Sequence, residues 1–308
     1  MSSAKPGPIS GTTGLLGLLG NPIRHSLSPT IHNAALQALG IDWVYLALPV
    51  QAAELAGVMR ALEALDCHGL SVTLPHKRAV AALVAERSPL AERLGAVNTL
   101  VRRQAGGWLG TNTDVEGFMA PLRANDWQGR RAVVLGCGGS ALAVVAGLEM
   151  LGFASIQVAG RDPAKLEAFC SGCRSWLPQL EPLAWSDDRT QGGTETGRLA
   201  AALASADLVV NTTPVGMANG QDPTAASRCP LGAAALDRLP QGCTIYDLIY
   251  TPRPTALLKA ARARDCRCID GLEMLVQQGA AALTLWTGRD TLPLEVMREA
   301  ALKALEAP

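Results

Sequence analysis

The chain has 308 residues, room for two domains at roughly 150 residues each. Lys and Arg number 27 and Asp and Glu 27, so the net charge is zero and no basic field exists to hold a nucleic-acid backbone. Apolar residues make up 48% and charged residues 18%, which excludes a disordered chain and allows a sizeable core.

Met1 to Thr13 is rich in Ser, Gly and Pro, with no apolar signal core, and reads as a frayed leader of a cytosolic protein. Leu15 to Gly20 then predicts a strand, and Pro29 to Leu39 a helix with Ser28 as N-cap and Pro29 in its first turn. Trp43 to Val50 reads as a strand, Ala53 to Leu65 as a helix and Gly69 to Leu74 as a strand, followed by another helical stretch. Val97 to Arg102 and Trp108 to Gly110 suit a hairpin around Gly106-Gly107. This first region is an α/β unit with a mixed sheet.

A second region opens near Asp114 with a helix from Val115 to Leu122 and a linker at Trp127-Gln128-Gly129. Strands follow at Arg131 to Leu135, Ser155 to Ala159, Asp207 to Asn211 and Thr244 to Leu248, alternating with helices such as Gly139 to Leu151 and Lys165 to Cys170. That order predicts a Rossmann-like, doubly wound parallel sheet. Ala132 to Leu148 is long and apolar, but Gly136, Gly138 and Gly139 in its middle favour strand, turn and helix over a membrane span. Asp187 to Arg198 and Asn219 to Arg228 read as loose surface loops. Leu272 to Leu305 is helical in pattern and is expected to return to the first domain, giving domains of 1–113 with 271–308, and 114–270.

Cys170 and Cys173 form a C-x-x-C and Cys266 and Cys268 a C-x-C, but His25, His32, His68 and His76 all lie far upstream. Zinc needs four ligands at set spacing, so the eight cysteines read as free structural thiols and no metal is expected.

The clearest chemical signal is G-C-G-G-S-A, Gly136, Cys137, Gly138, Gly139, Ser140 and Ala141, between the strand at Ala132 and an apolar helix. Gly136 permits a tight turn, Gly138 lets backbone approach a pyrophosphate, and the helix start presents N–H groups to its charge. A glycine-rich turn without ligand has the same letters; the flanking strands favour a dinucleotide. The next strand ends in Gly160, Arg161 and Asp162, with Lys165 a turn later. Arg161 and Lys165 suit a ribose 2′-phosphate and so NADP, while Asp162 suits NAD unless it turns aside to cap the following helix. Ser26 and Ser28 at a helix start could hold a small carboxylate or merely cap the helix.

Seven strings then occur in order. They are G-N-P-I-R-H-S-L-S-P-x-x-H-N from Gly20, S-V-T-L-P-H-K from Ser71, G-A-V-N-T-L from Gly95 and G-T-N-T-D-V-E-G from Gly110. N-T-T-P-V-G-M from Asn211, Y-D-L-I-Y-T-P-R-P-T from Tyr246 and G-L-E-M-L-V-Q-Q from Gly271 complete the set. Together with the glycine loop they cover nearly the whole chain, which on them resembles the shikimate dehydrogenase family.

The resemblance implies a two-domain enzyme interconverting 3-dehydroshikimate and shikimate with NADP(H), in aromatic amino-acid biosynthesis. It implies that Ser26 and Ser28 hold the substrate carboxylate with Tyr250 nearby, and that Thr73, Asn98, Asp114 and Gln278 bind ring hydroxyls. Lys77 and Asp114 would be the catalytic pair, and Leu248 and Gly271 would line the nicotinamide site. The chemistry suits them: hydride reduction of a ketone leaves an alkoxide that needs a proton, and partial burial readies an ammonium to give one up. Without the resemblance, Lys77 is a lysine at a helix start and Asp114 an N-cap.

Three positions depart from the family pattern. Ser71 stands where Asn is common, which shortens or removes one substrate hydrogen bond; Asn-Arg-Thr is Gly160-Arg161-Asp162 here; and His76, before Lys77, receives no catalytic role. A quinate/shikimate dehydrogenase using NAD is the nearest rival, kept alive by Asp162, and a ligand sensor without catalysis is another, opposed by the presence of Lys77 and Asp114. The partners are small molecules, with no nucleic acid or membrane, and the chain would act as monomer or homodimer.

Overall fold

A computed structural model describes residues 9–185, 197–218, 220 and 222–306. Most of the leader up to Thr13, most of the loop predicted at Asp187 to Arg198, and Asn219 and Gln221 of the next loop lie outside the described residues. The chain divides into two compact units, one running to Gly117 and resuming at Leu275, the other spanning Phe118–Met274.

In the first unit the apolar runs form β1 (Gly14–Gly20), β2 (Trp43–Pro49), β3 (Gly69–Val72), β4 (Glu86–Arg87), β5 (Thr99–Arg102) and β6 (Trp108–Thr111). Their order across the sheet is β2-β1-β3-β5-β6-β4. β1 runs parallel to β2 and β3, whereas β5 is antiparallel to β3 and β6. This is the mixed sheet that the sequence predicts. The parallel pairs are joined through α1 (Ser28–Leu39) and α2 (Leu55–Ala64), and α3 (Lys77–Ala81) and α4 (Pro89–Leu94) precede β5. Leu19, Leu70, Val72 and Leu100 of the sheet pack with Met59 and Leu62 of α2, Val80 of α3 and Trp108 in one buried cluster.

Two elements late in the chain complete this unit. Trp286, near the end of α11 (Gly271–Thr287), donates from Nε1 to the Leu100 carbonyl at 2.9 Å. Its indole lies so close over Gly69 that a Cβ there would stand 2.2 Å from the ring. Helix α12 (Leu294–Glu306) packs along α1 with Met297 and Ala301 buried. The unit is therefore discontinuous in sequence.

In the second unit β7 (Arg131–Leu135), β8 (Ser155–Gly160), β9 (Glu181–Ala184), β10 (Leu208–Asn211), β11 (Thr244–Asp247) and β12 (Arg267–Ile269) form a wholly parallel sheet, ordered β12-β11-β10-β7-β8-β9. The chain starts in the middle at β7, winds outward to β9, then crosses back to β10 on the other side of β7. That reversal makes a doubly wound Rossmann-like sheet with its switch point between β7 and β10. Helix α6 (Gly139–Met150) is apolar all round and buried from Ala141 to Leu148, as a helix enclosed on every side must be. Helices α7 (Pro163–Cys173), α8 (Gly197–Ala204), α9 (Ala233–Leu236) and α10 (Ala256–Arg262) fill the connections, and α5 (Asp114–Met119) precedes β7. No helix among the described residues is long and apolar enough to cross a membrane. All eight cysteines are free thiols.

Several local expectations change. Ser28 is not an N-cap: the residue before the helix is Leu27, already helical at φ −82°, and no side chain caps this end. The Ser26 hydroxyl instead accepts from the Ser28 N–H at 3.2 Å. The strand from Gly69 stops at Val72, and the predicted helix to Leu122 ends as a 3₁₀ turn at Ala120–Leu122. Strands β4, β9 and β12 were not legible, because each is a short edge strand of two to four residues and β9 contains Pro182.

One buried histidine gives the first unit a pH dependence. His32 is fully buried, stacked on Tyr45 at 4.3 Å, and neither ring nitrogen has a hydrogen-bond partner among the described residues. Burial pushes its ionisation down from 6.5 to about 3. The unfolded chain therefore takes up a proton near pH 6.5 that the folded chain refuses. Between those values stability is expected to fall by about 1.4 kcal/mol per pH unit from this group. In His32→Leu, urea midpoints followed from pH 7 to pH 4 are expected to slope less steeply by one proton. An unchanged slope would show that His32 titrates normally.

Candidate active site

Strand register gathers the candidate residues of the first unit. β1 and β3 run the same way with Leu19 opposite Val72, so the loops that follow Gly20 and Val72 leave the same end of the sheet. β5 runs the other way with Thr99 opposite Ser71, and Thr111 at the end of β6 lies opposite Thr99. Ser26 and Ser28, Thr73 and Lys77, Asn98, and Asp114 thus follow from one edge.

At that edge the Lys77 ammonium donates from Nζ to Asp114 Oδ2 at 2.6 Å. The two side chains are only 19% and 13% exposed, so solvent screens the pair less than it would a surface ion pair. Asp114 is held from its other oxygen by Asn98 Nδ2, which donates to Oδ1 at 2.8 Å. The Asn98 amide has one orientation: the Thr113 N–H can only donate, and it reaches Asn98 Oδ1 at 2.7 Å. The Thr99 hydroxyl donates to the same oxygen at 2.9 Å, and the Asp114 N–H donates to Asn112 Oδ1 at 3.1 Å. Asn98, Thr99, Asn112 and Thr113 are all buried. The result is an ammonium with protons to give, held by a carboxylate whose plane is itself fixed.

The other candidates of this unit have partners of their own. Ser26 Oγ donates to Ser28 Oγ at 3.2 Å. Ser28 and Ser71 are buried beside Tyr45, whose phenol burial pushes well above its usual range. The Thr73 N–H donates to the Leu19 carbonyl, and Gln278 Nε2 donates to Leu275 in its own helix at 2.9 Å. His76 is buried with Nε2 2.8 Å from the Val50 carbonyl, which ties down the turn before Lys77.

In the second unit every cofactor candidate lies at or beyond the carboxyl end of a parallel strand, where open α/β sheets bind ligands. Gly136 follows β7 at φ +102°, and a Cβ there would meet Thr212 Oγ1 and Thr213 Cγ2 at 2.8 Å, so the turn requires glycine. At Gly138 and Gly139 nothing lies within 4 Å of where a Cβ would stand, and no side chain caps the start of α6. Backbone N–H groups at an open, uncapped helix start form a cradle for a pyrophosphate. Cys137 lies in this turn and Gly160 against it, a Cβ on Gly160 standing 3.3 Å from the Cys137 sulfur. Ser140 sits in the first turn of α6.

After β8 the acidic residue turns aside. Asp162 is the N-cap of α7, accepting from the N–H groups of Ala164 and Lys165 at 3.0 and 3.1 Å, with Lys165 Nζ 3.5 Å away. Those backbone bonds hold its carboxyl below the usual range. The Arg161 guanidinium lies 5.9 Å over the centre of the Trp185 ring, a cation–π contact from a residue the motifs gave no reason to single out. Leu248 and Gly271 meet through backbone: a Cβ on Gly271 would stand 2.0 Å from the Leu248 carbonyl oxygen. Tyr250 belongs to this unit, with its hydroxyl pushed up by burial.

Comparison with known proteins supplies the relatives. The Shikimate dehydrogenase substrate binding domain matches residues 18–100, and the Shikimate 5'-dehydrogenase C-terminal domain matches residues 271–302. A shikimate dehydrogenase (NADP(+)) of Nostoc sp. is 47% identical over 300 residues, covering 96% of this chain and 99% of its own. The chain belongs to the shikimate dehydrogenase family. A crystal structure of a shikimate dehydrogenase in complex with NADP+ superimposes at a TM-score of 0.85 with 31% identity, covering 97% of this chain and 98% of the other. A 5-ketofructose reductase of Gluconobacter sp. superimposes at 0.83 with 29% identity, covering 96% and 100%. Fold alone therefore does not select the substrate in this group of proteins.

Proposed function

We propose that this chain is an NADP-dependent shikimate dehydrogenase, reversibly reducing 3-dehydroshikimate to shikimate for aromatic amino-acid biosynthesis. Residues 1–113 and 271–308 form its substrate domain and 114–270 its NADP domain. The observation that carries the reading is the partly buried pair of Lys77 and Asp114, held by Asn98, at the edge where the substrate motifs converge. It works in the cytoplasm on small molecules, as a monomer or a homodimer.

The dinucleotide fits the second unit. The open backbone at Gly138 and Gly139 takes the pyrophosphate, and Arg161 takes the ribose 2′-phosphate. Capping of α7 by Asp162 removes the acidic group that would favour NAD. When bound, NADPH supplies the hydride that reduces the ketone carbon. Lys77 Nζ gives a proton to the ketone oxygen as it becomes an alkoxide, and takes it back in the oxidative direction. Asp114 keeps the ammonium aimed, and Asn98 keeps Asp114 in place. Ser26, Ser28 and Tyr250 hold the substrate carboxylate, and Thr73, Asn98 and Gln278 its ring hydroxyls.

Nicotinamide absorbance with shikimate or quinate, each with NADP+ or NAD+, tests the reading. Fast reduction with shikimate and NADP+ alone is expected. Comparable rates with quinate and NAD+ would favour the broader-specificity relative, and no turnover of shikimate with either cofactor would overturn the reading. Loss of a charge-assisted bond at the 2′-phosphate in Arg161→Ala is expected to raise KM for NADP+ by about 10-fold or more. KM for NAD+, which lacks that phosphate, should change little.

A further inference from the structure

A polar network joins three loops at the carboxyl edge of the second sheet. Asp247, the last residue of β11, is fully buried. Its Oδ1 accepts from Asn211 Nδ2 at 2.9 Å and from the Ile249 N–H at 3.2 Å, and its Oδ2 accepts from the Thr255 hydroxyl at 2.7 Å. Asn211 ends the neighbouring strand, β10. Its Oδ1 accepts from the Thr213 N–H at 3.0 Å and from the Thr213 hydroxyl at 2.7 Å, and Thr213 Oγ1 accepts from the Val215 N–H at 3.2 Å. The Thr212 hydroxyl reaches across to the carbonyls of Leu135 and Gly136 at 2.8 and 3.3 Å, the turn that opens the glycine loop. Thr255 also caps α10 by accepting from the Leu258 N–H.

We propose that Asp247, acting through Asn211, is a positioning residue that sets the 212–217 and 248–250 loops and the Gly136 turn for NADP(H). This rests on the reading that the edge binds the dinucleotide. A buried carboxylate is tolerated only where donors replace its lost water, and three donors from three segments meet this one. A loop that lost its share would be free to move over the cofactor while the apolar core beneath stayed intact.

The test compares Asp247→Ala, Asp247→Asn and Thr213→Val with wild type by NADPH binding, read from tryptophan fluorescence, together with melting temperature, kcat and both KM values. An amide at Asp247 keeps an oxygen for Asn211 and Ile249 and turns an N–H toward Thr255, whose hydroxyl can accept. NADPH affinity in Asp247→Asn is therefore expected within about threefold of wild type, and in Asp247→Ala to fall by about tenfold or more. In Asp247→Ala kcat falls with it, and KM for shikimate rises as well, because Tyr250 of the 248–250 loop is among the groups that hold the substrate carboxylate. Thr213→Val leaves the buried carboxylate satisfied and guards against an Asp247→Ala protein that does not fold. It is expected to weaken NADPH by about threefold or more at an almost unchanged melting temperature.

Wild-type NADPH affinity in Thr213→Val, or in a folded Asp247→Ala, overturns the proposal, as does an Asp247→Asn no better than Asp247→Ala. A wild-type protein that fails to bind NADPH would instead overturn the functional reading beneath it.

Discussion

Lys77→Met is expected to lower kcat by a factor of about 10² to 10⁴, the usual contribution of a general acid, while NADPH still binds. Methionine keeps the apolar stem that packs at the start of α3 and removes only the ammonium. The backbone role of the residue is untouched, since its carbonyl still accepts from the Val97 N–H. What is lost is the donor 2.6 Å from Asp114 Oδ2. Asp114, only 13% exposed, then keeps Asn98 but loses its counter-charge, so a melting-temperature drop worth about 1–3 kcal/mol should accompany the loss of turnover. Asp114→Asn separates orientation from proton supply. With Asn98 already donating to one side, the new amide either turns its N–H toward Lys77 and repels the ammonium, or keeps its oxygen on Lys77 and loses the bond from Asn98 that holds it in place. Turnover should fall there too, with the lysine still present. Stopped-flow hydride transfer with shikimate and NADP+ checks both variants, and a Lys77→Met protein retaining more than about a tenth of wild-type kcat would remove the proton-donor role.

The parts of the fold legible in the sequence are those whose signals are local. A strand, a glycine turn and an apolar helix announce themselves within Ala132 to Leu148, and the winding of the second sheet follows from repeats of that unit. The family motifs point to Lys77 and Asp114, and of the residues that fix them they single out only Asn98, for the substrate hydroxyls rather than for holding Asp114. Asn98, Thr99, Asn112 and Thr113 meet through the β5–β6 hairpin, which the sequence predicts around Gly106-Gly107, whereas the pairing of β5 with β3 has no local signal. Thr99 and Thr113 stand beside named residues in the quoted strings, which was the available signal. Asp162 was ambiguous for a different reason. The same Asp-Pro pair can cap a helix or face a ribose, and only the backbone angle at φ −99°, ψ 110° sends its carboxylate to the helix. Trp185 beneath Arg161 lies outside every motif and is reached only through the neighbouring strand β9.

Gly271→Ala is expected to cost the fold about 3 kcal/mol or more, at the upper end for a single methyl, because its Cβ has nowhere to go. It would stand 2.0 Å from the Leu248 carbonyl oxygen, 2.4 Å from the carbon of that carbonyl and 3.1 Å from the Ile249 carbonyl carbon. All three are backbone atoms, so no rotamer change relieves the clash. The segments are also bonded there, the Gly271 N–H donating to the Ile249 carbonyl at 3.2 Å, and moving them apart breaks that contact. Since 1 kcal/mol shifts the melting temperature of a chain this size by about 2–4 °C, the loss should be near 10 °C. Gly57→Ala is the matched control: it lies inside α2 with nothing within 4 Å of its Cβ position, so alanine should stabilise by about 0.5–1 kcal/mol. The same chemical change thus carries opposite signs at two glycines, decided by what each backbone faces. The resemblance places Gly271 at the nicotinamide, but the approach to Leu248 demands glycine whether or not a ligand is near. A Gly271→Ala protein that melts like wild type and loses only NADPH binding would reverse that order of causes. The packing account expects lost stability first, with weaker binding following from a displaced Leu248.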